Sequence, residues 1–133
     1  MKPVFLGLLL VFGLAGCEKT RTACIYEIPE GFTGWVRIEY GRTNSPPLIK
    51  RDGKFVFQIG TDGRLCTSSQ PEYGWAKDAY YYVGKSRTEL AATGWGGGGL
   101  IWAGSIGGVQ GERDTHETFF VGTEAQFKHA TRE

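Results

Sequence analysis

Over most of this chain, apolar and polar residues alternate in short runs with the period of a strand. The run at 35–40 is the clearest. Val36, Ile38 and Tyr40 fall on one face, and Trp35, Arg37 and Glu39 fall on the other. Residues 54–59 repeat the pattern, with Phe55, Phe57 and Ile59 facing inward. Further strands are predicted at 23–28, 64–68, 79–83, 100–106 and 116–121, about seven in all. Gly60-Thr61-Asp62-Gly63 predicts a hairpin turn that returns residues 64–68 beside 54–59, because Asp-Gly tolerates positive φ. Pro46-Pro47 blocks ladder pairing in the loop at 41–47. Helical signals are few. Residues 89–92 could form a single turn. Thr123, followed three residues later by Gln126, fits a capping box that opens a short helix to about Ala130. This pattern predicts an all-β domain, a β-sandwich or small barrel with one short C-terminal helix.

The first sixteen residues obey a different rule. Lys2 supplies a positive start, and residues 4–14 form an unbroken apolar run, too short for a bilayer span of roughly 20 residues. Leu14-Ala15-Gly16-Cys17 then resembles the bacterial lipobox. That resemblance implies cleavage before Cys17 and lipid attachment to it. Two or more acyl chains anchor a protein stably where one does not. The alternatives are a secretory signal cleaved after the small residues and a retained membrane anchor. The chain therefore divides into a signal peptide at 1–16, a lipidated tether at 17–22 and one β-rich domain at 23–133. By the rule of enteric bacteria, aspartate after the lipidated cysteine marks inner-membrane retention. Glu18 therefore permits the outer membrane, facing the periplasm of a Gram-negative cell.

Removing residues 1–16 takes only Lys2 from 15 basic and 14 acidic residues, leaving 14 of each. A neutral balance argues against nucleic acid and against a strongly anionic partner. Of the three cysteines, Cys24 and Cys66 remain once Cys17 carries lipid. In an oxidising compartment such a pair is expected to form a disulfide, with two separate thiols as the alternative. A Cys24–Cys66 bridge would place the first strand near the 60–63 hairpin.

Ile28-Pro29-Glu30-Gly31 with Gly34-Trp35 begins a longer pattern. It continues through Thr67-Ser68-Ser69, Glu72-Tyr73-Gly74-Trp75-Ala76, Asp78 and Tyr80-Tyr81-Tyr82, and ends at Phe119-Phe120-Val121-Gly122-Thr123-Glu124. Together these resemble a family of small bacterial envelope proteins, many of them lipoproteins, known only as a domain of unknown function. The resemblance covers nearly all of residues 24–128 and implies no activity, cofactor or catalytic residue.

Several short motifs approach catalytic signatures without their context. Gly94 to Gly99 formally reads G-x-G-x-x-G, but Leu100-Ile101-Trp102 continues as a strand, not the helix a dinucleotide needs. Gly84-Lys85-Ser86 ends a near P-loop in which Ala79 replaces the first glycine and tyrosines fill the loop. Gly104-Ser105-Ile106-Gly107 lacks the strand-to-helix turn of a nucleophile elbow. Asp114, His116 and Glu117 form a metal-like cluster in which Asp114 and His116, two apart, would share a strand face. Zinc takes three or four protein ligands, so His129 or a distant carboxylate would have to join them. No catalytic residue, metal ligand, cofactor or nucleotide is expected. Among the aromatics, Tyr73, Trp75 and Trp95 lie in glycine-containing loops and are candidate contact residues for a protein or glycan in the envelope. The expected role is a lipid-anchored, non-catalytic binding or structural module. Its rivals are a periplasmic inhibitor or immunity protein, and a small hydrolase using Ser105 or the Asp114/His116 pair.

Overall fold

In the computed structural model, residues 19–92, 99–108 and 114–131 are described. They fold into two sheets packed face to face, a sandwich and not a closed barrel, with one helix on the outside. The described residues form nine strands: β1 (Cys24–Pro29), β2 (Gly34–Glu39), β3 (Ile49–Arg51), β4 (Lys54–Gln58), β5 (Arg64–Cys66), β6 (Ala79–Val83), β7 (Arg87–Leu90), β8 (Ile101–Gly107) and β9 (His116–Val121). One sheet has the order β3-β4-β1-β6-β7 and the other β5-β2-β9-β8. The two short edge strands β3 and β7 escape the sequence pattern, and β7 replaces the helical turn expected at 89–92. Three or four residues, mostly charged and exposed, show no alternation to read.

The alternation predicts the core well. Tyr26 and Ile28 of β1, Val36 and Ile38 of β2, Phe57 of β4, and Phe119 and Val121 of β9 all turn inward and are buried. Tyr40 and Ile59 extend the same faces just beyond β2 and β4. Tyr26 lies between Phe57 and Tyr80, stacked on both with centroids 4.7 Å away, and Phe119 meets it edge-on at 5.3 Å. Such ring pairs add to the stabilisation from buried area.

The outer faces are pinned by different means. Glu27 alternates outward from the centre of the first sheet, yet it is buried beneath arginines from both edges. Arg51 of β3 reaches its Oε2 at 3.1 Å, and Arg87 of β7 bonds the same oxygen. One carboxylate thus ties both edge strands to β1. On the second sheet, helix α1 (Glu124–Ala130) lays Phe127 against Trp35, Phe120 and Trp102. The capping box forms as the sequence predicts: the Gln126 amide donates to Thr123 Oγ1, and the Thr123 amide donates to Gln126 Oε1.

The turn at 60–63 does not make a hairpin. It is closed by the Gly63 amide donating to the Gly60 carbonyl at 2.9 Å. The chain then crosses from one sheet to the other, and β5 pairs in parallel with β2. The turn chemistry is local and forms as expected, but β4 already has neighbours on both sides, β3 and β1. The strand after the turn therefore has to find another edge.

Gly63 is held at φ +77°, and a Cβ there would lie 2.7 Å from both the Phe32 ring and the Trp35 carbonyl. Gly63→Val should therefore lower stability by roughly 1–3 kcal/mol through backbone strain, with the collision adding to it. Denaturant unfolding measures this. An unchanged midpoint would mean that this crossing is absent.

Candidate functional site

At one end of the sandwich the two sheets leave a cavity of about 30 Å³, room for a water molecule or two. Its walls include Tyr26, Phe55 and Phe57 from one sheet, Tyr40, Ile106 and Glu117 from the other, and Arg21, Pro71 and Glu72 from the segments across its mouth. Glu117 occupies an inward position of β9, in step with Phe119 and Val121. Tyr26 donates its hydroxyl to Oε1 at 2.7 Å, and Tyr40 donates to Oε2 at 2.8 Å. The Tyr26 bond joins the two sheets. Burial pushes the Glu117 carboxyl above the usual carboxylate range and outweighs the two phenol bonds, which favour the charged form. Burial, reinforced by the Glu117 carboxylate, likewise raises both tyrosine hydroxyls, so each stays a donor. The sequence did carry a signal for this site: a carboxylate on the apolar face of a clean alternating strand. Grouping Glu117 with Asp114 and His116 as a metal cluster obscured it. Among the described residues, no group of three or more His, Cys, Asp or Glu could hold a metal ion.

The mouth of the cavity is framed by the segment leading out of the tether. Arg21 grips Asp78 with both arms, Nη1 to Oδ1 at 2.8 Å and Nη2 to Oδ2 at 2.5 Å. Its Nε donates to the Gly74 carbonyl at 3.0 Å, and Asp78 Oδ1 also accepts from the Cys24 amide at 3.0 Å. The backbone of the two segments pairs as well. The Trp75 amide donates to the Lys19 carbonyl at 2.8 Å, and the Arg21 amide donates to the Trp75 carbonyl at 3.1 Å. The expected tether at 17–22 is therefore part of the fold from Lys19 onward. No sequence pattern links residues 57 apart, so the Arg21–Asp78 pair could not be read from the chain.

The candidate residues read from the sequence fall in separate places. Cys17 and Trp95 lie outside the described residues. Trp75 is 64% exposed, on the loop that the tether braces, and Tyr73 beside it is half-buried. The expected Cys24–Cys66 disulfide does not form, and both are free thiols. Cys24 begins β1 and points into the core of the first sheet. Cys66 ends β5 opposite Glu39, on the outer face of the second sheet, with its Sγ 3.6 Å from Glu39 Oε2. The crossing at 60–63, which a hairpin would have avoided, separates them. Burial pushes the Cys24 thiol up to about 12, so it is neither ionised nor nucleophilic near neutrality. The Ser105 hydroxyl lies 3.3 Å from that of Thr118, and His116 Nδ1 lies 2.9 Å from the Asp114 carbonyl oxygen.

Residues 20–130 match a protein family described as a family of unknown function, DUF6843. The chain belongs to that family. No curated protein matches it. Among solved structures, the fold is shared with a 2.75 Å crystal structure of a Bacillus anthracis protein described as a "Putative Lipoprotein". The TM-score is 0.62 at 24% identity, over 76% of this chain and 70% of that one. At that identity the likeness establishes the sandwich and no more. No described helix is long and apolar enough to cross a membrane.

The raised Glu117 carboxyl has a definite sign in the stability of the domain. Its folded pKa exceeds the unfolded value of about 4.3. The stability it contributes is full below that value and is lost as pH rises through the folded pKa. Glu117→Gln keeps an acceptor and removes the titration. The stability of the wild type relative to the glutamine variant should therefore fall as pH rises from about 4.3 towards neutrality. Parallel stability curves for the two proteins would contradict this.

Proposed function

We propose that this protein is a lipid-anchored module of the bacterial cell envelope that works by contact and not by chemistry. The observation that carries the reading is Trp75, a large apolar side chain 64% exposed on a loop whose backbone is bonded on both sides. An exposed aromatic on a braced loop offers contact area at little cost in conformational entropy. The groups that could do chemistry are committed elsewhere. The Cys24 thiol is held protonated, the Glu117 carboxyl sits between two phenols, and the Ser105 hydroxyl faces Thr118 and not His116. The lipobox supplies the anchor. The fold shared with a lipoprotein-described structure is compatible with it, and the close bracing of residues 19–22 suits a domain that sits directly on its anchor.

Two measurements test the reading. Radiolabelled palmitate should enter the wild-type protein in cells and fail to enter Cys17→Ser; equal labelling of both would remove the anchor. Trp75→Ala should melt within a few degrees of wild type. A loss of about 3–5 kcal/mol, the range for truncating a core tryptophan, would show that Trp75 holds the fold together and is not a contact residue.

A further inference from the structure

We propose that the face around Trp75 is seated on the membrane itself, with its indole in the headgroup layer. This rests on the lipid-anchor reading above and names the occupant of the contact face. The argument is one of reach. Lys19 is bonded through its carbonyl to the Trp75 amide. Only two residue steps separate Lys19 from Cys17, a span of at most about 7 Å. A lipid on Cys17 therefore holds the Trp75 loop beside the bilayer, with the exposed indole within reach of the headgroup layer.

The loop cannot swing away from that position. Arg21 holds Asp78 on one side and the Gly74 carbonyl on the other. Gly74 lies at φ +133°, where a side chain would collide with the Lys19 carbonyl, so the close approach of tether and loop is built into the backbone. The chemistry of the ledge matches a lipid surface. Tryptophan prefers the boundary between hydrocarbon and water, where its ring is apolar and its N–H finds a partner. Lys19 and Lys77 are exposed on the same two segments, and cations near an anionic surface are drawn to it. The acids of these segments offset that attraction. Asp78 is neutralised by Arg21, but Glu72, which accepts from the Thr22 hydroxyl at 3.3 Å, carries a charge of its own, and Glu18 adjoins Lys19. The seat therefore rests on the indole and on reach and not on net charge. Seating this edge on the bilayer also brings the mouth of the Glu117 cavity, framed by Arg21, Pro71 and Glu72, close to the membrane.

The test uses the processed chain from Cys17, with Cys24→Ser and Cys66→Ser, coupled through the Cys17 thiol to a maleimide lipid. The vesicles contain phosphatidylethanolamine and phosphatidylglycerol with brominated acyl chains. Tryptophan emission should be quenched, and most of that quenching should vanish in Trp75→Phe. Iodide in the water should quench Trp75 less on vesicles than in the same chain uncoupled. Bromolipid quenching unchanged by Trp75→Phe, or equal iodide access with and without vesicles, overturns the proposal. So does shielding of Trp75 in native envelopes combined with exposure on vesicles, an outcome that assigns the face to a protein or glycan. Chemical coupling keeps this test separate from the palmitate experiment. Failure of labelling with successful docking removes the cellular anchor; labelling without docking removes only the membrane seat.

Discussion

The pairing of Arg21 with Asp78 decides where this domain begins. Both side chains are largely withdrawn from water, and the guanidinium uses three of its nitrogens on the fold around it. The Asp78 carboxylate holds Arg21 more firmly charged than an ordinary arginine. A pair this desolvated adds less net stability than its Coulomb attraction suggests, but removing either partner strands the other. Its consequence is geometric. Asp78 directly precedes β6 and bonds the first amide of β1, so the segment before β1 is fixed to the strand that β1 pairs with. What would be a loose tether is instead joined to the Trp75 loop by a single parallel β-bridge, Thr20 to Trp75, which clamps that loop beside it.

The second constraint is the polar link between the sheets. A sandwich core built from Tyr26, Phe57, Phe119 and their neighbours needs no directional bonds to stay closed. Glu117 nevertheless reaches Tyr26 across the gap and Tyr40 along its own sheet. This fixes the registration of the sheets at the end where the cavity opens, at the expense of a partly desolvated carboxyl. Glu27 plays a related part outside, holding β3 and β7 through Arg51 and Arg87. In both cases one carboxylate positions two strands that hydrophobic burial alone would leave free to slide.

What the sequence made legible follows from the range of each signal. Alternation is local, so the inward faces at Tyr26, Val36, Phe57 and Phe119, and the helix cap at Thr123 with Gln126, could be read directly. Sheet membership is not local. The Asp62-Gly63 turn gives no hint that β5 leaves β4 for β2. The hairpin expectation assumed that consecutive strands stay neighbours. The Cys24–Cys66 bridge was expected only from a leftover pair in an oxidising compartment, which carries no information on where the two residues lie in the sheets. Strands β3 and β7 were invisible because their exposed, charged residues carry no apolar period. The loop position of Trp75 could be read from its glycine neighbour, and its exposure followed. Arg21 and Asp78 could not be linked, since nothing in either neighbourhood names the other.

These features describe a domain organised from the segment that leads into β1. The clamp orders the exit from the tether, the exit fixes the Trp75 loop, and the loop frames the cavity that Glu117 lines. Amide hydrogen exchange at Arg21 and Trp75 tests this account most directly. In the wild type both amides should be protected like those of β6, and Asp78→Asn should release both while leaving the amides of β2 and β9 protected. Exchange of Arg21 and Trp75 at the rate of an unstructured chain in the wild type would contradict it.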